Sequence, residues 1–447
     1  MDILNHGGDN MISVWSDTSK LPCFEALKED IKTDVCIIGG GLAGILCAHH
    51  LQEKKIKYVL VEAATICSGI TKNTTAKITS QHGLIYDKIN KEFDLEKAAL
   101  YLKANQEALE QYRQLCQNID CGFEKKDSFV YSLDNERKLA KELEVLHKIG
   151  FGAEFRTDLP LPFSTKGAVM FPNQAQFNPL QFVAAIAGKL HIYENTKVRE
   201  LIPKDNGSCE AVTEHGTITA KKIIVATHFP FLNKHGSYFL KMYQHRSYVI
   251  ALENGPDVDG MYVDEAQTGL SFRNYKHYLL LGGGDHRTGK KGGNWGELST
   301  VASKYYPTCK EKYHWATQDC MTLDHVPYIG QYSSKTPNLY VATGFNKWGM
   351  TSSMVAASIL TDLVMGVDNP YASVFSPSRS MLRLQLVTNG FEAVTNLLSV
   401  TPKRCPHLGC ALKWNEAEHS WDCPCHGSRF TEHGDLIDNP ATDDLKA

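Results

Sequence analysis

Apolar residues in this chain fall into short unbroken runs and into stripes spaced three or four apart. The run Asp34-Val-Cys-Ile-Ile-Gly39 predicts a buried parallel strand, and Tyr58-Val-Leu-Val-Glu62 predicts a second. Leu42 to about Glu53 reads as a helix between them, which makes one strand–helix–strand unit. From Asp94 to Ile119 the stripe Leu95, Ala98, Ala99, Leu102, Leu109, Tyr112, Leu115, Cys116 predicts a long amphipathic helix with Asp94 as N-cap. Glu136 to Ile149 predicts another helix, stopped at Gly150, and Pro179 to Lys189 a third, with proline in its first turn. Residues 197–227 and 246–285 favour short strands. Leu339-Tyr-Val-Ala-Thr-Gly344 reads as a buried strand and Met350 to Met365 as a helix.

Length and composition sharpen this picture. The 447 residues suit about three domains at ~150 residues each. Residues 1–33 read as a loose leader, 34–366 as the main body, 367–400 as a linker with a short helix, and 401–447 as a small cysteine-bearing lobe. A composition of 43% hydrophobic and 22% charged residues excludes a disordered or fibrous chain. The net charge of −3, spread evenly, argues against a nucleic-acid partner or a polybasic membrane patch. No apolar run approaches the ~18 residues of a transmembrane segment, and the N-terminus lacks a signal peptide, so a cytoplasmic protein is expected. Of thirteen cysteines, the nine from Cys23 to Cys320 read as small buried apolar residues. Cys405, Cys410, Cys423 and Cys425 crowd into 21 residues, which in a cytoplasmic chain points to a metal before a disulfide scaffold.

Gly39-x-Gly41-x-x-Gly44 follows a predicted strand, opens a predicted helix, and has Glu62 at the end of the next strand. Gly39 permits a tight turn, Gly41 lets the backbone approach a pyrophosphate, and Gly44 lets helix and strand pack closely. Leu42 and Ala43 add helix N–H groups and partial positive charge, and Glu62 can accept hydrogen bonds from ribose hydroxyls. The motif alone does not separate FAD from NAD.

Further segments decide. Glu194-Asn-Thr-Lys-Val198, Ile223-Ile-Val-Ala226-Thr227, Asp324-His-Val-Pro-Tyr-Ile-Gly330 and Ala342-Thr-Gly344-Phe-Asn-Lys-Trp-Gly349-Met350-Thr351 resemble the D-amino-acid oxidase and glycine oxidase superfamily. Ser68 to Thr79, with Thr74, Thr75 and Lys77, resembles that family's loop beneath the flavin. The resemblance spans most of residues 30–366. It implies an α/β (α+β) two-domain FAD oxidoreductase, with a Rossmann-type FAD-binding domain and a mixed-sheet substrate domain. The FAD-binding parts would be about 34–90, 170–235 and 320–366, and the substrate or cap parts about 91–169 and 236–319. It further implies that the Val198 backbone meets the adenine and that Gly344 to Thr351 wraps the flavin. Gly349-Met350-Thr351 starts a helix, whose N–H groups can stabilise negative charge on the reduced ring.

The tail reads Cys405-Pro-His407-Leu-Gly-Cys410 and then Cys423-Pro-Cys425-His426-Gly-Ser428, two thiolates and two imidazoles in the pattern Cys-x-His and Cys-x-x-His. Zinc is the alternative use of such ligands. The pattern resembles a Rieske [2Fe–2S] site, which implies that Cys405 and Cys423 hold one iron and His407 and His426 the other. The resemblance also implies a Cys410–Cys425 disulfide. A small all-β C-terminal domain is thus expected, with two loops and three strands. A Rieske fold normally has several strands before its first ligand loop, so either residues 384–400 replace that base or the lobe packs directly on the body.

The resemblance implies oxidation of an amine or amino-acid-type substrate by hydride transfer to the flavin, in an apolar pocket that aligns the C–H bond. Arg246 and Tyr248 are candidates to hold a carboxylate, and His286 and Arg287 follow Gly282-Gly-Gly284. Lys347 and Trp348 are candidates to touch the ring. Rieske potentials of roughly −150 to +300 mV make the cluster an acceptor of flavin electrons, bound for an external acceptor that the sequence does not name. Lying far apart in sequence, the two sites are expected to be lost independently. The competing expectations are an electron-transfer or redox-sensing protein without amine turnover, and an NAD-linked reductase, which lacks a second GxGxxG unit because Gly282-Gly-Gly284 and Gly292-Gly293 have no following helical pattern.

Overall fold

The computed structural model describes residues 12–232, 236–379 and 403–445. The first predicted strand is Ile31–Ile38, which runs parallel to Thr217–Val225 on one side and to Tyr58–Val61 on the other. The sheet continues with Leu339–Thr343 and Tyr328–Gln331 at one end and Ile192–Tyr193 at the other. Neighbours cover both faces of the central strand, so its apolar run is continuous rather than alternating. Leu42–Glu53 and Gly349–Met365 are buried over about two thirds of their residues, consistent with their low polarity, and Gly366 ends the second in a left-handed conformation, φ +72°. The long helix is Leu95–Cys116, with the Asp94 side chain accepting from the Lys97 N–H as an N-cap should.

A second, mixed sheet has nine strands among the described residues, in the order Lys310–Thr322, Met242–Glu253, Tyr278–Arg287, Ser271–Tyr275, Met261–Asp264, Glu124–Tyr131, Ala168–Gln176, Lys77–Ile78, with Glu154–Arg156 beside Ala168–Gln176. Ala168–Gln176, which straddles the boundary expected near residue 169, lies in this sheet over its whole length. Gly282-Gly-Gly284 lies inside the antiparallel strand Tyr278–Arg287 rather than at a strand–helix turn, which removes the basis for a second dinucleotide site there.

Two expectations are corrected. The N-terminal segment is not loose over its described part: Ser13 caps the short helix Val14–Thr18, and Val14 and Trp15 are fully buried. The Trp15 indole donates to Thr74 O at 2.7 Å and packs edge-on against Tyr275. The C-terminal lobe holds four strands rather than three, Lys413–Asn415, Ser420–Asp422, Arg429–Thr431 and Leu436–Asp438, each antiparallel to the next. Residues 384–400 lie outside the described residues. The lobe packs directly on the mixed sheet.

Candidate functional site

Between the two large sheets lies a cavity of about 1200 Å3. The glycine turn forms one end. Gly39 has φ +112°, and a Cβ there would stand 2.5 Å from Ala226 O, so only glycine fits. A Cβ on Gly44 would meet Gly39 O at 1.9 Å, which fixes the close helix–strand approach. Gly41 differs: nothing in the chain lies nearer to its absent Cβ than Thr71 Oγ1 at 3.6 Å, so the space there is left for a ligand. Gly41, Leu42 and Ala43 line the cavity, and no side chain of the N-cap residue closes the helix start. Leu42 N–H is taken by Thr71 Oγ1 at 3.1 Å. The Glu62 carboxylate stands at the same end and accepts from Gly40 N–H and Ala64 N–H. This set of groups fits a dinucleotide pyrophosphate and ribose.

Ser68, Thr74, Thr75, Lys77, Val198, Ala226, Thr227, Gly344, Gly349 and Met350 also line the cavity. Thr351 stands just behind, donating from Oγ1 to Thr79 O at 3.0 Å. The loop carrying Thr74 to Lys77 is held from behind, by Trp15 and by Arg273 Nη1, which donates to Thr75 O and Ala76 O at 2.7 and 2.8 Å. Burial, with the nearby Arg273 charge, pushes the Lys77 ammonium down to about 7. Trp348 stacks on His82, ring centroids 5.1 Å apart. The His82 ring is pinned by Tyr101 Oη, Thr79 O and Thr351 Oγ1, and burial lowers it to about 3, so it stays neutral.

On the sheet side the cavity is lined by His245, Ser247, Asp285, Asp319 and Lys347. Lys347 Nζ donates to Asp285 Oδ1 at 2.7 Å. Burial, aided by Asp285, raises the Asp319 carboxyl to about 6 despite Lys347 and Arg246. Burial lowers His245 to about 2. The sequence singled out Arg246 but not His245, and the pleat explains the difference. Successive side chains of Met242–Glu253 point to opposite faces, so His245 faces the cavity while Arg246 faces away.

Arg246 and Tyr248, the candidates for a substrate carboxylate, are instead committed to the C-terminal lobe. Arg246 makes a bidentate pair with Glu418, Nε to Oε1 at 2.9 Å, and Tyr248 Oη donates to Glu418 Oε1 at 3.0 Å. Arg429 joins the same carboxylate at 2.8 Å and also reaches Asp422 and Asp438. Arg246, Glu418, Asp422 and Arg429 are all buried. Burial alone would raise Glu418, but Arg246 and Arg429 hold it down to about 2. His286 stacks on Tyr248 and lines a smaller adjoining polar cavity, and Arg287 donates to Cys425 O at 3.2 Å.

In the lobe, the two predicted ligand loops face one another. In each loop a glycine N–H turns back onto the first cysteine, Gly409 to Cys405 O and Gly427 to Cys423 O, both at 2.9 Å. Cys405, Cys423 and His426 are buried, and the His407 and His426 rings lie 5.1 Å apart. A hydrogen bond from Cys423 outweighs burial and lowers the Cys405 thiol to about 7, while burial keeps both imidazoles neutral, His407 near 4 and His426 near 3. His426 Nδ1 is buried with no hydrogen-bond partner, the mark of a nitrogen kept for a metal. Cys410 and Cys425 form a disulfide across the loops. Two soft thiolates and two neutral imidazoles fit a Rieske cluster. Among the nine other cysteines, Cys36, Cys47, Cys67, Cys116, Cys121 and Cys320 are buried and Cys23 is exposed.

The lobe's seat leaves no room for larger residues. A Cβ on Gly289 would stand 2.6 Å from Pro424 N, and one on Gly427 2.2 Å from Gln244 Cγ. Gln318 Nε2 donates to Gly427 O at 2.8 Å. No helix among the described residues is long and apolar enough to cross a membrane.

Comparison with known proteins agrees with this geometry. Residues 34–363 match the family described as FAD dependent oxidoreductase, and residues 386–447 match the Rieske [2Fe-2S] domain. The chain is 36% identical to the Rieske 2Fe-2S iron-sulfur protein YhfW of Bacillus subtilis, over 97% of this chain and 96% of that one. It is 24% identical to the gamma-glutamylputrescine oxidoreductase of Escherichia coli, over 78% of this chain and 88% of the other. The fold resembles glycine oxidase from Geobacillus kaustophilus, with a TM-score of 0.65 and 20% identity, covering 78% of this chain and all of that one. L-proline dehydrogenase from P. horikoshii gives the same TM-score at 17% identity, covering 78% of this chain and 98% of that one. The chain belongs to the FAD dependent oxidoreductase family, with FAD as its cofactor and a C-terminal Rieske domain for a [2Fe–2S] cluster.

Proposed function

We propose that this protein oxidises an amine or amino-acid-type substrate and delivers the electrons to its own Rieske centre. The observation that carries the reading is the seating of the cluster lobe on the very sheet that walls the flavin cavity. Strand Lys310–Thr322 touches both: Gln318 donates to Gly427 beside His426, and two residues on, Cys320 O accepts from the N–H of Asn346 in the flavin-wrapping segment. FAD, when bound, supplies hydride acceptance from a carbon next to nitrogen, and the cluster supplies one-electron acceptance.

The chain's own residues do the rest. Gly41 and Ala43 would meet the pyrophosphate on a turn shaped by Gly39 and Gly44 and tied by the Leu42 N–H to Thr71, Glu62 would hold the ribose, and Cys405, His407, Cys423 and His426 the cluster. Lys347 stays paired to Asp285 and keeps that carboxylate in place, and Asp319 would accept the proton that a substrate ammonium must lose before a hydride can leave its carbon. Trp348 and neutral His82 form a flat apolar wall that excludes water from the reacting carbon. Relatives whose names specify amine or amino-acid substrates support the substrate class.

The test is anaerobic titration of the purified protein with a panel of primary amines, polyamines and amino acids. At least one is expected to bleach the flavin visible band. If none does while a chemical reductant still bleaches it, the protein is an electron-transfer or sensing module without amine turnover.

A further inference from the structure

The flavin cavity is not closed by the flavoprotein body alone. Its wall includes Ile437, Asn439 and Thr442, which belong to the last strand of the Rieske lobe and the turn after it. Asn439 Nδ2 donates to both Thr227 O and Phe229 O at 2.9 Å, so one lobe side chain fixes the loop that follows strand Thr217–Val225. Thr227 and His228 in that loop line the cavity. Across the same edge, Lys197 Nζ donates to Thr442 O at 2.6 Å, and Lys197 and Val198 line the cavity too. A second observation points to a ligand at this wall. Ile437 is 46% exposed, a large apolar side chain left open along the cavity, where a bound molecule would cover it.

We infer that the Rieske lobe is part of the FAD-binding site: Ile437 packs against the bound cofactor, and Asn439 holds the Thr227–Phe229 loop in its binding form. Lobe docking and FAD binding then favour one another by the same factor, since coupling between two binding equilibria is reciprocal. This runs against the independence expected from the distance between the two motifs in sequence. It does not depend on electron transfer, since it concerns how FAD is held.

The experiment measures FAD release from holoprotein by the rise in free-flavin fluorescence after dilution, in wild type, Ile437→Ser and Asn439→Ala. The Rieske absorption and EPR signals are recorded on the same samples to show that the lobe is intact. Removing an apolar contact of this size should speed release by about five- to tenfold in Ile437→Ser. Asn439→Ala removes the lobe's donor from Thr227 O and Phe229 O, of which Phe229 O keeps the Thr227 hydroxyl, and should also speed release. Ile437 is not part of the lobe's core, so Ile437→Ser decides the matter even if Asn439→Ala disturbs the lobe. Release unchanged from wild type in Ile437→Ser, with a normal Rieske signal, overturns the inference.

Discussion

Glu418→Ala is expected to destabilise the seated Rieske lobe by about 3–5 kcal/mol, the cost typical of removing one partner from a buried ion pair. Arg246 is the group most exposed to the loss. It is buried, and its guanidinium is paired with Glu418 in two places. Arg429 would keep Asp422 and Asp438, so the damage falls on the joint between lobe and body. Tyr248 Oη would lose its acceptor as well. Urea unfolding followed at the Rieske visible bands should show the shift, and a change below about 1 kcal/mol would mean that the network contributes little to docking. The same pair predicts acid sensitivity. Glu418 is held at about 2 against an ordinary 4.5, so its contribution is fully present above pH 4.5 and is lost as pH falls from there toward 2. Lobe stability should therefore decline over that acidic window in wild type, and decline less in Glu418→Gln.

Gly44→Ala is expected to yield protein that binds FAD roughly ten- to hundredfold more weakly, from an overpacking cost of about 1–3 kcal/mol placed on the cradle itself. The added Cβ would lie 1.9 Å from Gly39 O, a backbone atom that no side-chain rotation can move aside. Relief requires the helix Leu42–Glu53 to shift away from the Ile31–Ile38 strand, which carries its start, with the Gly41 and Ala43 N–H groups, off the pyrophosphate position. Equilibrium titration of deflavinated protein with FAD measures this directly. Binding as tight as wild type would show that the turn adapts and that the close approach is not required.

The parts of the molecule that were legible in the sequence are those whose chemistry is local. The glycine turn with Glu62, and the two Cys/His loops, each confine their residues to a short stretch, and the residue types follow from what the ligand needs. The helices were legible too, because cap and stripe lie in the same segment, as with Asp94 and Leu95–Cys116. What escaped depends on partners far along the chain. The role of Arg246 is set by Glu418, 172 residues away, and by which face of a pleated strand it occupies. His245 and Asp285 line the cavity without a motif to mark them, although alternation along Met242–Glu253 would have put His245 opposite Arg246. Trp15 stands in an apparently unpatterned leader, and its partners, the Thr74 carbonyl and the Tyr275 ring, lie 59 and 260 residues further along the chain.

Reducing the flavin alone and watching the cluster shows whether the flavin and Rieske sites work as one electron path. Anaerobic holoprotein illuminated with EDTA delivers electrons to the flavin, and rapid freezing at intervals allows the Rieske EPR signal to be counted. The signal is expected to rise to about one spin per chain as the flavin is turned over, and Cys423→Ser to show flavin bleaching with no such signal. Full flavin bleaching in the wild type with the cluster still oxidised would contradict it.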